Sequence, residues 1–117
     1  MWNIESTETY ERWHKGLKNR DQARVLALLR LLREEGPGLC RPYADTVRSS
    51  RFSHMKELRV QSHGEPIRIF FAFSPTRTGV LLCAGNKVGD EKRFYDEMIP
   101  LADHEYTEYL NTLFESR

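Results

Sequence analysis

Between Lys56 and Ala84 the chain reverses direction twice with very few residues to spare. In Lys56-Glu57-Leu58-Arg59-Val60-Gln61 the side chains alternate, with Leu58 and Val60 pointing one way and Glu57, Arg59 and Gln61 the other. The glycine-containing turn Ser62-His63-Gly64-Glu65 leads into residues 67–73, which are rich in β-branched and aromatic side chains. There Ile67, Ile69, Phe71 and Phe73 share one face, and Arg68, Phe70 and Ala72 share the other. Ser74-Pro75-Thr76-Arg77 turns the chain again into a nearly all-apolar run over residues 79–84. A parallel pair needs a crossover of a dozen residues or more, so connections this short make the three strands an antiparallel meander.

Helices flank the meander. Residues 1–4 form a short strand candidate, and Ser6 or Thr7 can cap a helix with Glu8 in its first turn. Tyr10, Trp13 and Leu17 recur at helical spacing. A second helix runs through Asp21, with Val25, Leu28, Leu29 and Leu32 on one face, and Gly36-Pro37-Gly38 ends it. The two make a helical hairpin. Residues 39–54, broken by Pro42, Asp45 and several serines, read as irregular. After the meander, Asp90 is placed to cap a helix carrying Phe94, Tyr95 and Met98. Ala102, Tyr106, Tyr109, Leu110 and Leu113 continue the amphipathic pattern, and Pro100 predicts a break between the two halves. The fold class is α+β, a small antiparallel sheet with an N-terminal helical hairpin and a C-terminal helix broken near Pro100.

A chain of 117 residues with 39% hydrophobic side chains has the size and content for one core, so residues 1–117 are read as a single domain. Cys40 and Cys83 stand far apart without CxxC spacing, and the expectation is two reduced thiols in a cytoplasmic protein. No signal peptide and no apolar run near the ~18 residues of a membrane span is visible, so no membrane association is expected. Four histidines and two cysteines show no metal-ligand spacing; neither a metal nor another cofactor is expected. Charge is more informative than its net value of +1. Residues 37–93 carry ten basic and five acidic side chains, whereas residues 94–117 carry one and six. The basic middle can face phosphates while the acidic end stays away from them.

Particular strings within this order resemble the RelE/ParE toxin superfamily, and its HigB-type branch with phage-derived members above all. They are Lys56-Glu57-Leu58-Arg59, Pro66-Ile67-Arg68-Ile69-Phe70-Phe71-Ala72-Phe73, Gly85-Asn86-Lys87, Arg93-Phe94-Tyr95 and Ile99-Pro100-Leu101-Ala102-Asp103. The likeness extends over almost the whole chain. It implies a RelE-like fold and a type II toxin paired with a cognate antitoxin of the helix-turn-helix kind. It also implies cleavage of messenger RNA, in members of the RelE and HigB type usually in the ribosomal A site. ParE members of similar fold inhibit DNA gyrase instead, and an inactive phage-derived binding module is a further alternative, because one fold hosts several functions. Many members are strongly basic and this chain is nearly neutral, which sets ribosome dependence apart from RNA cleavage itself.

Metal-independent RNA cleavage needs a group to take the ribose 2′-OH proton, cations for the pentacoordinate transition state, and an acid for the leaving 5′-oxygen. The resemblance assigns Arg68 to the scissile phosphate. Arg59, on the neighbouring strand, can share that phosphate if both face the same way, and a guanidinium suits the task by its fixed charge and planar fork of donors. Lys87, where the third strand ends, can bind phosphate or carry a proton. Tyr95 matches a family position for proton transfer or stacking. Arg93, Lys92, Arg51 and Lys56 are candidate RNA contacts, and Phe94 is a candidate stacking platform that is also the better core residue of the Phe94–Tyr95 pair. His54 and His63, flanking the first meander strand, are possible proton carriers, and the acid and base stay unassigned among these groups.

Overall fold

The structure, a computed structural model, describes residues 1–115. Five strands form one sheet: β1 (Asn3–Ser6), β2 (Ala44–Thr46), β3 (Lys56–Ser62), β4 (Glu65–Phe73) and β5 (Thr78–Asn86). Their spatial order is β1-β5-β4-β3-β2. The β3-β4-β5 meander is antiparallel, as the short turns require. The sheet as a whole is mixed, since β1 joins β5 in parallel. The helical hairpin, α1 (Glu8–Lys15) and α2 (Asn19–Glu35), leaves from the end of β1 and covers one sheet face. Helix α3 (Glu91–Glu115) covers the other.

Thr7 decides where the first strand stops. Its hydroxyl accepts from the Tyr10 amide and donates to the Leu82 carbonyl at 2.7 Å, so one side chain caps α1 and pins its start to β5. Tyr10, Val25 and Leu32 then pack on Leu58, Val60, Ile67, Ile69 and Phe71, the strand face opposite Arg59 and Arg68. Each of these buried side chains contributes roughly 1.5–3 kcal/mol by leaving water. Asp21, in the first turn of α2, accepts a 2.5 Å hydrogen bond from Ser62 and ties that turn to the end of β3. Gly36, at φ +58°, ends α2 with the Trp2 indole lying against it.

Three expectations need correction. Strand β2 lies inside the segment read as irregular; three residues pairing with β3 are too few for a period to be visible. The first strand is shifted to Asn3–Ser6. The final helix is continuous through Pro100. Proline removes one helical hydrogen bond, yet its ring here faces solvent while Ile99, Ala102, Asp103 and Tyr106 are buried on the sheet side, and packing on both sides of Pro100 outweighs the loss. Ser50 and the Arg51 amide also donate to Asp103, at 2.5 and 3.0 Å, fastening this helix to the segment before β3. Both cysteines are free, Cys40 exposed and Cys83 buried. Among the described residues no helix is long and apolar enough to cross a membrane.

Candidate active site

Strand register brings Arg59 directly opposite Arg68, and Arg68 directly opposite Gly85. Glu57 and Phe70 form the next same-face pair along β3 and β4. All of these positions project toward α3. The absent side chain at Gly85 matters: a Cβ there would lie 3.0 Å from the Phe94 ring. Phe94 therefore descends onto the sheet beside Phe70, at 6.1 Å between ring centres, and the first turns of α3 come down with it. Asp90 caps that turn through the Arg93 amide, as its position predicts.

This descent sets Tyr95 over Glu57. The phenol donates to Glu57 Oε1 at 2.6 Å, and Arg59 Nε donates to Glu57 Oε2 at 3.1 Å. Glu57 is 4% exposed, so a buried carboxylate has each oxygen held by a different partner. Burial first, and then the bond and charge of Glu57, push the Tyr95 phenol up to about 12, while the nearby Arg68 guanidinium pulls the other way. Tyr95 thus stays protonated at neutral pH.

Arg68 is 8% exposed, so this strand arginine lies inside the protein. Its Nη1 donates to the Ile67 carbonyl at 3.1 Å, but its buried Nε has no hydrogen-bond partner. Among the described residues no carboxylate pairs with it. A buried donor left unmatched on a cation is costly unless something fills the place. Lys87 follows β5, its amide donating to Pro66 at 2.7 Å, with Nζ 3.1 Å from Glu91 and 5.9 Å from the centre of the Tyr95 ring.

The remaining predicted residues are more scattered. Lys92 and Arg93 are exposed on α3 and pair with Asp96 and Glu97, one turn on, at 2.7 and 3.2 Å. Arg51 reaches Thr107 at 3.3 Å and lines a shallow depression beside Tyr95. Lys56 alternates with Glu57 and so lies on the opposite sheet face from the arginine pair, with Leu58 and Val60. Phe94 and Tyr95 both pack on the α3-side core. His54 rests against Phe52 and Tyr106, and His63 occupies the β3–β4 turn at φ +51°, so neither histidine joins the cluster.

A groove of about 410 Å³ opens beside the cluster, lined by Asp45, Arg48, Glu57, Arg59, Lys92 and Tyr95 among others. A larger one, about 750 Å³, lies between β1 and the helical hairpin on a floor of Ile4, Tyr10, Leu29 and Leu81. The candidate site lies at the smaller groove, which Glu57, Arg59 and Tyr95 line, with Arg68 on the neighbouring strand opposite Arg59. Glu57 and Gly85 were the residues that sequence reasoning missed. Strand alternation already put Glu57 on the face of Arg59, two residues away; the close approach of Phe94 to Gly85 had no sequence signal. Among the described residues no group of His, Cys, Asp and Glu side chains is arranged to hold a metal ion.

A helical hairpin on one face of a five-stranded sheet and a long helix on the other define a RelE-like fold. The toxin RelE of E. coli, solved as a double mutant in the free state, matches with a TM-score of 0.56 over 80% of this chain and 90% of that one. At 8% identity this likeness concerns the fold alone. The family model described as phage-derived protein Gp49-like matches residues 12–107, and the chain belongs to that family, among its HigB-type members. Two curated Mycobacterium tuberculosis proteins bearing the toxin names HigB2 and HigB3 are similar to it. The first is 45% identical over 104 residues, 88% of this chain and 52% of its own length. The second is 46% identical over 100 residues, 86% of each chain. The chain thus spans about half the length of the first relative and most of the second.

Proposed function

We propose that this chain is the toxin of a type II toxin–antitoxin pair and acts in the cytoplasm as a metal-independent endoribonuclease on translated messenger RNA. The observation that carries this reading is Arg68, a buried guanidinium with an unfilled Nε, near the protonated Tyr95 phenol that in turn donates to the Glu57 carboxylate. Such an arrangement suits a phosphodiester. Arg68 would bind the scissile phosphate and meet the negative charge that builds on it in the transition state. Glu57 takes the proton of the ribose 2′-OH as that oxygen bonds to phosphorus. Tyr95 gives its proton to the departing 5′-oxygen, leaving a 2′,3′-cyclic phosphate and a 5′-OH. Lys87, 5.9 Å from the Tyr95 ring centre, adds positive charge on the leaving-group side. The names carried by the HigB relatives support the toxin assignment and with it an antitoxin partner, for which a helix-turn-helix protein encoded beside the toxin is our candidate. The ribosome is the proposed platform that presents the message; Lys92, Arg93 and Arg51 at the rim would contact it or the strand.

Induced expression with and without the neighbouring gene, followed by mapping of messenger RNA 5′ ends, tests this. Growth arrest with new cuts inside translated codons, suppressed by the neighbour, is the expected result. Arrest with intact messages and DNA-damage signalling would point to gyrase, and absence of arrest to a binding module.

A further inference from the structure

Arg59 and Arg68 face each other across two strands, yet their surroundings are not equivalent. Arg68 has no carboxylate partner among the described residues, whereas Arg59 has two acidic neighbours. Its Nε lies 3.1 Å from Glu57 and its Nη2 lies 3.8 Å from Asp45. Asp45, on edge strand β2, is in turn held by Arg41 through Nε at 3.0 Å and Nη2 at 2.8 Å. That bond and the charge of Arg41 and Arg59 keep the Asp45 carboxyl below its ordinary range. An incoming phosphate therefore meets an unmatched cation at Arg68. At Arg59 it meets a guanidinium flanked by two negative groups.

We infer that Arg59 is a positioning residue that acts through Glu57, and that it is not a ligand of the RNA phosphate. Resting on the endoribonuclease reading above, this gives the paired arginines separate tasks. Arg59 grips Oε2 while Tyr95 grips Oε1, so the carboxylate plane is fixed from both sides and offers its remaining lone pairs to the 2′-OH. Arg41 and Asp45 form the outer support of the chain, aligning the far nitrogen of Arg59. Fixing a proton acceptor before substrate arrives is the contribution such a relay makes.

Single-turnover cleavage of a message bound to purified ribosomes, measured against toxin concentration, separates the two roles. For Arg59→Ala the expected result is a maximal rate lowered ~10–100-fold with the half-saturating concentration unchanged, the mark of a group acting after binding. Arg59→Ala combined with Glu57→Gln should be no slower than Glu57→Gln alone, because the two act as a unit. Arg59→Lys should recover part of the rate. If loss of Arg59 unfolds the protein, Asp45→Asn serves, as it loosens Arg59 without touching the inner cluster: the maximal rate should fall. The inference is overturned if Arg59→Ala raises half-saturation ~10-fold at unchanged maximal rate, if the double variant multiplies the two losses, or if Asp45→Asn tightens half-saturation without slowing the reaction. A wild-type protein that leaves the message intact overturns the endoribonuclease reading and this inference with it.

Discussion

Replacing Tyr95 by Phe removes one hydroxyl and keeps the ring in its contacts with Phe70 and Phe94, at 6.1 and 5.3 Å between centres. What is lost is the 2.6 Å hydrogen bond to a buried, charged acceptor. Bonds to charged groups are worth about 1.5–3 kcal/mol, and Glu57 keeps Arg59, so a cost of about 2 kcal/mol follows. For 117 residues an unfolding entropy near 2.1 cal/mol/K per residue makes each kcal/mol about 4 °C, hence a fall in Tm of about 8 °C. The chemical consequence is larger. A general acid contributes about 10²–10⁴ in rate, or roughly 3–5.5 kcal/mol of barrier, and the Tyr95→Phe rate should drop by that factor. With the phenol pushed up to about 12, no loss of activity traceable to Tyr95 should occur between pH 6 and 9. Differential scanning calorimetry and single-turnover cleavage read the two effects. A variant that melts lower yet cleaves at the wild-type rate would refute the proton-donor role, and an unchanged Tm would refute the bond to Glu57.

Further outcomes are expected from the same structure. Arg68→Ala should abolish growth arrest while leaving stability within ~1 kcal/mol, because it removes a buried cation that has no carboxylate partner; unfolding of the purified variant would contradict this. Gly36→Ala should cost about 3 kcal/mol, since the residue sits at φ +58° and a Cβ would come within 2.2 Å of the Trp2 indole, whereas Gly38→Ala, with open space around it, should change Tm hardly at all. Burial pushes the Cys83 thiol up to about 12 from 9.0, and raises the Tyr10 phenol as well. For acids whose folded value exceeds the unfolded one, the stabilisation is complete below the unfolded value and is lost as pH climbs toward the folded one. These two groups should therefore leave Tm flat between pH 6 and 9 and lower it between pH 9 and 12, and a Tm unchanged across the upper window would contradict the burial. Cys40 alone should react with a thiol reagent in the native protein, and both cysteines after denaturant is added.

The meander was legible because alternation and short turns leave few alternatives, and the register that places Arg59 opposite Arg68 follows from a hairpin whose turn is only His63-Gly64. Burial of the arginine face was not legible. Arg68 between Ile67 and Ile69 has the pattern of a strand with one wet side, and only the docking of α3 closes that side. The same tertiary contact explains Pro100. Local propensity predicts a break, but the buried residues on either side hold the helix together. Strand β2 was hidden for a related reason: its three residues are defined by pairing with β3 and contribute no period of their own. Among site residues, Arg59, Arg68 and Tyr95 converge, Lys92 and Arg93 stay on the exposed side of α3, and Lys56 diverges from Arg59 by strand parity, a distinction that alternation alone supplies.

The most direct test of the central claim is the chemistry of the cut ends. Purified protein, incubated with ribosomes carrying a defined message, should yield an upstream fragment ending in a 2′,3′-cyclic phosphate and a downstream fragment with a 5′-OH. A message with 2′-deoxyribose at the cut position should stay whole. Cleavage of the deoxy message, or fragments carrying a 5′-phosphate, would contradict attack by the 2′-OH and with it the roles given to Glu57, Arg68 and Tyr95.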